Sequence, residues 1–450
     1  MQPSQQRFLS LNLIYWLGAC FFVLLLQMYL NTGTLSAYAA TLDKPALYNG
    51  YYVNYDWPQY VANYNFIRGE DHSVWENGLV LRRILLYVIG FPFLKIFGFY
   101  AGSLITIVLT LLTTFFFFFR FVEREFGEFA CKVAMLLLGS YSGIMYWIGS
   151  PFVQNLVVPL SLIVYMLLYQ LHKKSLYKKT FYLTVIGVLF TGYDLLPLFA
   201  PGILLYITLH KSIELKQKLW LLPITIVTFL LPQLLIKLWL TARGANTNTG
   251  NEEAYKVIIT AYTHILNDLP AWYIRIKNVP ETLLHCFFRS NFYVLPLLFI
   301  FSWFIGRWYL SFKLNLLERC LLLSVLFLFL FNNIAPPYEG EWQMWGDWLA
   351  RLYQAVFVVY LLYIIRLAEH IYKIKKMLLF FNIIMFLAVL TNVLINTGGL
   401  YASSLSNFVY SNFYLHGSPN SYSKNIIYYG ARPLGFPVHY NSEIKDETPK

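Results

Sequence analysis

Charged residues are scarce in this sequence. Lys, Arg, Asp and Glu make up 12% of the 450 residues, whereas soluble domains carry about 25%. Hydrophobic residues reach 58%, aromatic residues reach 19%, and the mean hydropathy is +0.54. A chain with so little polar surface could not cover its apolar core against water. The composition therefore excludes a soluble globular protein and predicts an integral membrane protein.

Cysteine is scarce too, and its four positions form no C-x-x-C pair or Cys/His cluster. We therefore predict neither a structural zinc site built from cysteines nor a disulfide framework. The nucleotide-binding pattern G-x-x-x-x-G-K-[ST] is also missing, which argues against an ATP-driven pump, and we expect no cofactor. The net charge of +12 does not predict nucleic acid binding. Its basic residues flank hydrophobic runs instead of forming one basic face or tail.

Hydrophobic runs of the length needed to cross a bilayer, about 20 residues, recur along the chain. They predict an all-α membrane protein with about 11 transmembrane helices, at 11–30, 99–119, 133–149, 153–171, 181–193, 195–210, 219–240, 291–310, 316–334, 350–366 and 377–396. The short runs on either side of Tyr193 could instead be one bent pair meeting at a turn. We interpret the first run as a retained span, because it exceeds the usual hydrophobic region of a signal peptide.

Basic residues cluster in every second connection between these runs. Each such connection is short and carries two or more Lys or Arg: 120–132, 172–179, 211–218, 313–319 and 366–376. The positive-inside rule then predicts a cytoplasmic N-terminus in a multi-pass protein of a bacterial inner membrane. Residues 1–396 would form one transmembrane domain, with long outer loops at 31–98 and 241–290. Residues 397–450 would form a non-cytoplasmic tail.

The first outer loop carries the most polar chemistry. Asp56 stands among tyrosines and a tryptophan, and an acidic cluster follows it. Arg82 and Arg83 then precede an apolar stretch, 84–97, whose Gly90 and Pro92 make it a poor span. We expect this stretch to lie at the membrane interface, where aromatic residues are common.

These motifs resemble the GT-C superfamily of glycosyltransferases that use polyprenyl-phosphate sugars. The resemblance rests on D-x-x-x-Y from Asp56 to Tyr60, then Gly69, then R-x-L-L from Arg83 to Leu86, ahead of an apolar segment ending in Gly98. A weaker likeness is G-D-W-L-A-R, in which Arg351 stands at the outer end of a late span. The resemblance implies a polytopic fold with interfacial helices in the first outer loop and an essential aspartate after the first span.

Two features depart from the pattern of this superfamily. Trp57 follows Asp56 where protein mannosyltransferases have a D-E pair. The oligosaccharyltransferase pattern of Asp or Glu, any residue, then Asp is missing after the third span, where Ser150 to Asn155 stand. The branch of the superfamily and its metal requirement therefore stay open.

The resemblance implies sugar transfer to a lipid, glycan or protein acceptor on the periplasmic or lumenal side. The acceptor hydroxyl must lose a proton, so Asp56 is the predicted general base. The departing phosphate gains negative charge, which arginine binds better than lysine. We therefore predict donor phosphate binding by Arg82, Arg83 and Arg351. Possible second acids or acceptor contacts are Glu70, Asp71, His72, Glu76 and Asp194. The expected partners are a polyprenyl-phosphate sugar, its acceptor and membrane lipids.

Two other classes of membrane protein share parts of this pattern. A transporter or flippase of lipid-linked glycans predicts acids or broken spans at mid-membrane, and the hydrophobic runs carry almost none. A polymerase or ligase of such glycans also uses outer-loop arginines and histidines. Its key loop comes late in the chain, whereas the polar loop of this chain comes first.

Overall fold

The computed structural model describes residues 84–141, 156–193, 196–242, 294–324 and 354–397. These residues are helical and contain no strand, which confirms the all-α prediction for this part of the chain. The α-helices are α1 (Leu85–Glu125), α2 (Glu128–Ser140), α3 (Val157–Leu171), α4 (Leu176–Leu189), α5 (Ala200–Leu209), α6 (Leu215–Ala242), α7 (Val294–Tyr309), α8 (316–324), α9 (Gln354–Ile374) and α10 (Leu378–Thr397). Two 3₁₀ turns, Phe190–Gly192 and Leu196–Phe199, lie between α4 and α5.

Helix α1 reverses direction at Gly98. The φ of this glycine is 76°, a left-handed conformation that costs glycine little and other residues more. The two arms of α1 pack against each other, because Gly102 lies against the backbone of Leu94 and Gly90 lies against the Thr106 side chain. The apolar stretch 84–97 is thus the first arm of a helical hairpin.

Five short connections meet at one end of the bundle, which we call the basic end. The α1–α2 connection reaches the α3–α4 connection through Glu125 and Lys173, at 2.8 Å. The α3–α4 and α5–α6 connections meet through stacked rings of His172 and His210. Further contacts tie α2 to α9, α9 to α8, and the α9–α10 connection to α7. The connections predicted to be basic therefore share one end, and we call the opposite end the distal end.

The buried core lies between α1, α2, α3 and α9, which pack against one another. Phe115, Phe118 and Phe119 of α1 are fully buried, as are Tyr165 of α3 and Tyr363 of α9. Aromatic rings from neighbouring helices meet edge to face within this core, an arrangement that favours the ring quadrupoles. The phenylalanine run of α1 is thus a packing surface on its buried side.

Helix α6 packs against α4 and leaves most of its surface uncovered by the described residues. Its exposed side chains are apolar along the whole length, for example Leu219, Ile226 and Leu234. Exposed apolar helices of this kind favour a lipid environment. Two segments, Ile105–Glu125 and Leu215–Trp239, are long and apolar enough to span a membrane. They give limited support to the membrane prediction, and shorter apolar helices accompany them.

Two helices extend further than the hydrophobic runs predicted. Helix α1 continues through Arg120 to Glu125, and α9 continues through Arg366 to Ile374. Both arginines were predicted to begin connections, and this was wrong. The charged side chains at these helix ends have partners such as Glu318 and Lys173 on neighbouring elements, so helix can continue past the apolar stretch.

Candidate functional site

The predicted site residues all lie outside the described residues. They are Asp56, Glu70, Asp71, His72, Glu76, Arg82, Arg83, Asp194 and Arg351. Their roles stay predictions. The structure does describe the start of α1, which follows Arg83, and the turn after α4, which precedes Asp194. These two stretches of chain contact each other.

Leu85 opens α1 and packs against Gly192. A Cβ at Gly192 would come within 3.0 Å of the Leu85 side chain and would overlap Leu160 of α3. Leu85 and Leu160 are both buried. The start of α1, the start of α3 and the turn after α4 therefore form one junction, which we call the Leu85 junction.

The turn at this junction is held by hydrogen bonds and by α6. The Leu196 N–H donates to the Tyr193 carbonyl at 3.1 Å, which ties the second 3₁₀ turn to the end of the first. The Gln233 side chain of α6 donates to the Phe190 carbonyl at 3.3 Å. Phe190 also packs on Phe229, with ring centroids 4.7 Å apart. Tight packing of this kind fixes the direction in which the chain leaves α4.

A second polar group, which sequence reasoning missed, lies at the basic end. Glu318 is fully buried and forms an ion pair with Arg366, whose side chain is 18% exposed. The Asn315 N–H donates to Glu318 Oε2 at 2.9 Å, and the Glu318 N–H donates to Asn315 Oδ1 at 2.7 Å. This reciprocal pair is a capping box at the start of α8. The spacing N-x-x-E at 315–318 was the signal available in the sequence.

Aromatic side chains enclose this ion pair. The Arg366 guanidinium lies over the Phe312 ring, 5.1 Å from its centroid. Tyr165 and Tyr363 are close enough to interact electrostatically with both charges. Glu318 Oε1 and the Tyr363 hydroxyl are buried and accept or donate no hydrogen bond within the described part of the chain. The group joins α3, α8 and α9, and we interpret it as structural, since its carboxylate is fully buried and caps α8.

Glu369 forms another link at the basic end. Its Oε2 accepts a hydrogen bond from the Ala130 N–H at 3.2 Å, near the positive end of the α2 dipole. Its Oε1 lies 3.4 Å from Lys373 Nζ. A Cβ at Gly127 would overlap this carboxylate, and the φ of Gly127 is 133°. Glycine is therefore required at this position for Glu369 to reach α2.

Two histidines stack between neighbouring connections of the basic end. The rings of His172 and His210 lie 4.7 Å apart, and the Tyr206 hydroxyl is 3.3 Å from His172 Nδ1. Partial burial and the neighbouring Lys173 and Lys179 lower the pKa of His172. Partial burial, with His172 and then lysines nearby, lowers the pKa of His210. The neutral imidazoles are therefore favoured, and the surrounding surface is strongly positive.

The described residues contain no group of three or more His, Cys, Asp or Glu side chains that could hold a metal ion. Cys131 and Cys320 are free and buried. Comparison with known proteins found no matching family model, no matching curated protein and no matching solved structure.

Proposed function

We propose that this protein is a membrane glycosyltransferase that moves a sugar from a polyprenyl-phosphate donor to a lipid, glycan or protein acceptor. In this proposal about eleven transmembrane helices form a GT-C-like fold, with the N-terminus in the cytoplasm. The reaction takes place at the distal end, on the non-cytoplasmic side of the membrane. Asp56 is the general base, and Arg82, Arg83 and Arg351 bind the donor phosphate.

The Leu85 junction is the observation that supports this proposal. Leu85 follows Arg82 and Arg83 in the sequence, and Gly192 precedes Asp194 by two residues. Their contact brings together two stretches of chain that continue into a predicted cationic pair and a predicted acid. Phosphate binding and acid–base chemistry at one place are what transfer from a lipid phosphate needs.

The separation of the two ends of the bundle is consistent with this proposal. The five short connections at the basic end leave no room for a large catalytic loop. The longest gap between described segments, 243–293, lies between the ends of α6 and α7 that are opposite the basic end. A long polar segment of the sequence therefore continues from the end of the bundle to which we assign the predicted site residues.

The proposed reaction assigns a role to each of these side chains. Asp56 takes the proton of the acceptor hydroxyl, whose oxygen attacks the anomeric carbon of the sugar. The bond from that carbon to the phosphate oxygen breaks, and the polyprenyl phosphate leaves with the electron pair. The arginine side chains stabilise the negative charge that collects on this phosphate. An apolar groove between helices would hold the polyprenyl chain.

The test is mass spectrometry of lipids that copurify with the full-length protein, together with sugar transfer by those preparations. We expect copurified polyprenyl-phosphate sugars and loss of transfer in Asp56→Ala and Asp56→Asn, by at least about 100-fold, the scale of a lost general base. Glu214→Gln, an exposed carboxylate change at the basic end, should keep full activity. Full activity of both Asp56 variants would overturn the catalytic assignment. Movement of an intact lipid-linked glycan without sugar transfer would favour the flippase alternative.

A further inference from the structure

Seven lysines stand in two neighbouring connections at the basic end, 172–179 and 210–218, together with a single acid, Glu214. The stack of His172 on His210 joins these connections. Helices α4 and α6, which begin there, pack closely along their length. The lysines of both connections therefore belong to one surface.

Three of these lysines form an ion pair or a hydrogen bond within the protein, and Lys174 Nζ lies 5.9 Å from the centroid of the Tyr182 ring. Lys173 pairs with Glu125 at 2.8 Å, and Lys179 donates to the Gln217 side chain at 2.6 Å. Lys218 donates to the Thr208 carbonyl at 2.7 Å. The other four are Lys174, Lys178, Lys211 and Lys216, and we call them the lysine patch. None of the four forms an ion pair with a described residue.

Large apolar side chains continue from the lysine patch along the same helix faces. Lys178 and Phe181 are three residues apart on α4, and Phe181 is 57% exposed. Lys216 stands three and four residues before Leu219 and Trp220 on α6, which are 66% and 61% exposed. Residues at these spacings are neighbours on a helix surface. On each helix, a lysine therefore lies near the N-terminal end, and exposed apolar side chains lie one turn further along.

This order of charge and apolar surface matches an anionic phospholipid, with its phosphate at the membrane surface and its acyl chains below. We propose that the lysine patch binds the headgroup of an anionic phospholipid whose acyl chains lie on Phe181, Leu219 and Trp220. Charge complementarity selects this occupant, because a zwitterionic headgroup would place a second cation against the lysines. Clusters of four or more basic residues beside a transmembrane helix recognise anionic lipid in this way. The site is at the opposite end from the proposed donor site and does not depend on it.

The test is native mass spectrometry of the full-length protein in detergent, titrated with phosphatidylglycerol, with phosphatidylcholine of the same chains, and with glycerol 3-phosphate. We expect wild type to bind phosphatidylglycerol in preference to phosphatidylcholine, and glycerol 3-phosphate not to compete. Each lysine near a membrane surface contributes about fivefold in affinity for anionic lipid. The triple variant K178Q/K211Q/K216Q should therefore lose about 100-fold of the preference.

The matched control is K313Q/K373Q/K375Q, which removes three exposed lysines elsewhere at the basic end. This control should keep the wild-type preference. Equal losses in both triple variants would show general charge attraction and would overturn the site. The site is also overturned if wild type shows no preference, or if glycerol 3-phosphate competes as well as the lipid. None of these outcomes bears on sugar transfer, which the Asp56 variants test separately.

Discussion

Glu318 uses one carboxylate oxygen for two structural contacts. Its Oε2 caps the start of α8 by accepting the Asn315 N–H, and it also pairs with Arg366 of α9. Phe312 and Tyr363 lie beside the pair, and the low dielectric of such aromatic surroundings strengthens its hydrogen bond. A buried charge that loses its partner keeps its desolvation cost and gains nothing in return. The free energy of unfolding should therefore depend on Glu318 and Arg366 together.

Replacing Glu318 by Ala should destabilise the protein by about 3–5 kcal/mol, because Arg366 would stay partly buried without a counter-charge. The double change E318L/R366L removes both charges and should recover most of this loss. Thermal unfolding of the purified protein in detergent measures both effects. The control is Arg319→Ala, because the Arg319 side chain is exposed and donates to the Leu314 carbonyl, and this change should alter the stability little. A double variant no more stable than Glu318→Ala would contradict the ion-pair interpretation.

At the scale of elements, close helix approach depends on small residues. Gly187 of α4 lies directly against the Thr228 carbonyl of α6, where no Cβ has room. Gly202 of α5 lies likewise against α8, and its N–H donates to Ser324 Oγ at 2.8 Å. Small residues let helix backbones approach within a membrane, where association relies on packing and hydrogen bonds. The α4–α6 pair should therefore tolerate almost no added volume at Gly187.

Gly187→Ala should separate α4 from α6 and cost at least about 1–3 kcal/mol, the usual range for overpacking. The neighbouring change Val188→Ala is the control, since Val188 is 43% exposed and faces away from this contact. The measurement is the thermal midpoint of each variant in the same detergent. The proposed close approach would be wrong if Gly187→Ala unfolded at the wild-type temperature.

The sequence pattern and the structure agree most closely on the presence of helices within long apolar runs. The run at 377–396 is found as α10 within one residue at each end, and the runs at 181–193 and 195–210 are found as α4 and α5 with bounds up to five residues away. The reversal at Gly98 was not predicted, since it depends on Gly102 meeting Leu94 in the folded chain. The Glu318–Arg366 pair joins residues 48 positions apart, and no local pattern predicts which charges meet. The predicted site residues stay predictions, because they lie outside the described residues.

The orientation of the whole molecule in the membrane can be tested, because its helices alternate in direction. The five short connections share the basic end, so one orientation places all of their lysines on the same side of the membrane. The positive-inside rule predicts that this side is cytoplasmic. Single cysteines at Lys211 and Lys375, both exposed, would report on the basic end, and a cysteine at Asn248 would report on the predicted outer loop.

These cysteines are to be introduced in a variant lacking Cys20 and Cys286, since Cys131 and Cys320 are buried. A membrane-impermeant maleimide added to intact cells should label Asn248→Cys and leave Lys211→Cys and Lys375→Cys unlabelled. After the membrane is permeabilised, all three should be labelled, because the two lysine positions then become accessible. Labelling of the two lysine positions alone in intact cells would show that the orientation is the reverse of the predicted one. The Asp56 loop would then lie in the cytoplasm, where the proposed transfer from a polyprenyl-phosphate sugar would not take place. Labelling of Lys211→Cys but not Lys375→Cys would instead show that the five connections do not share one side.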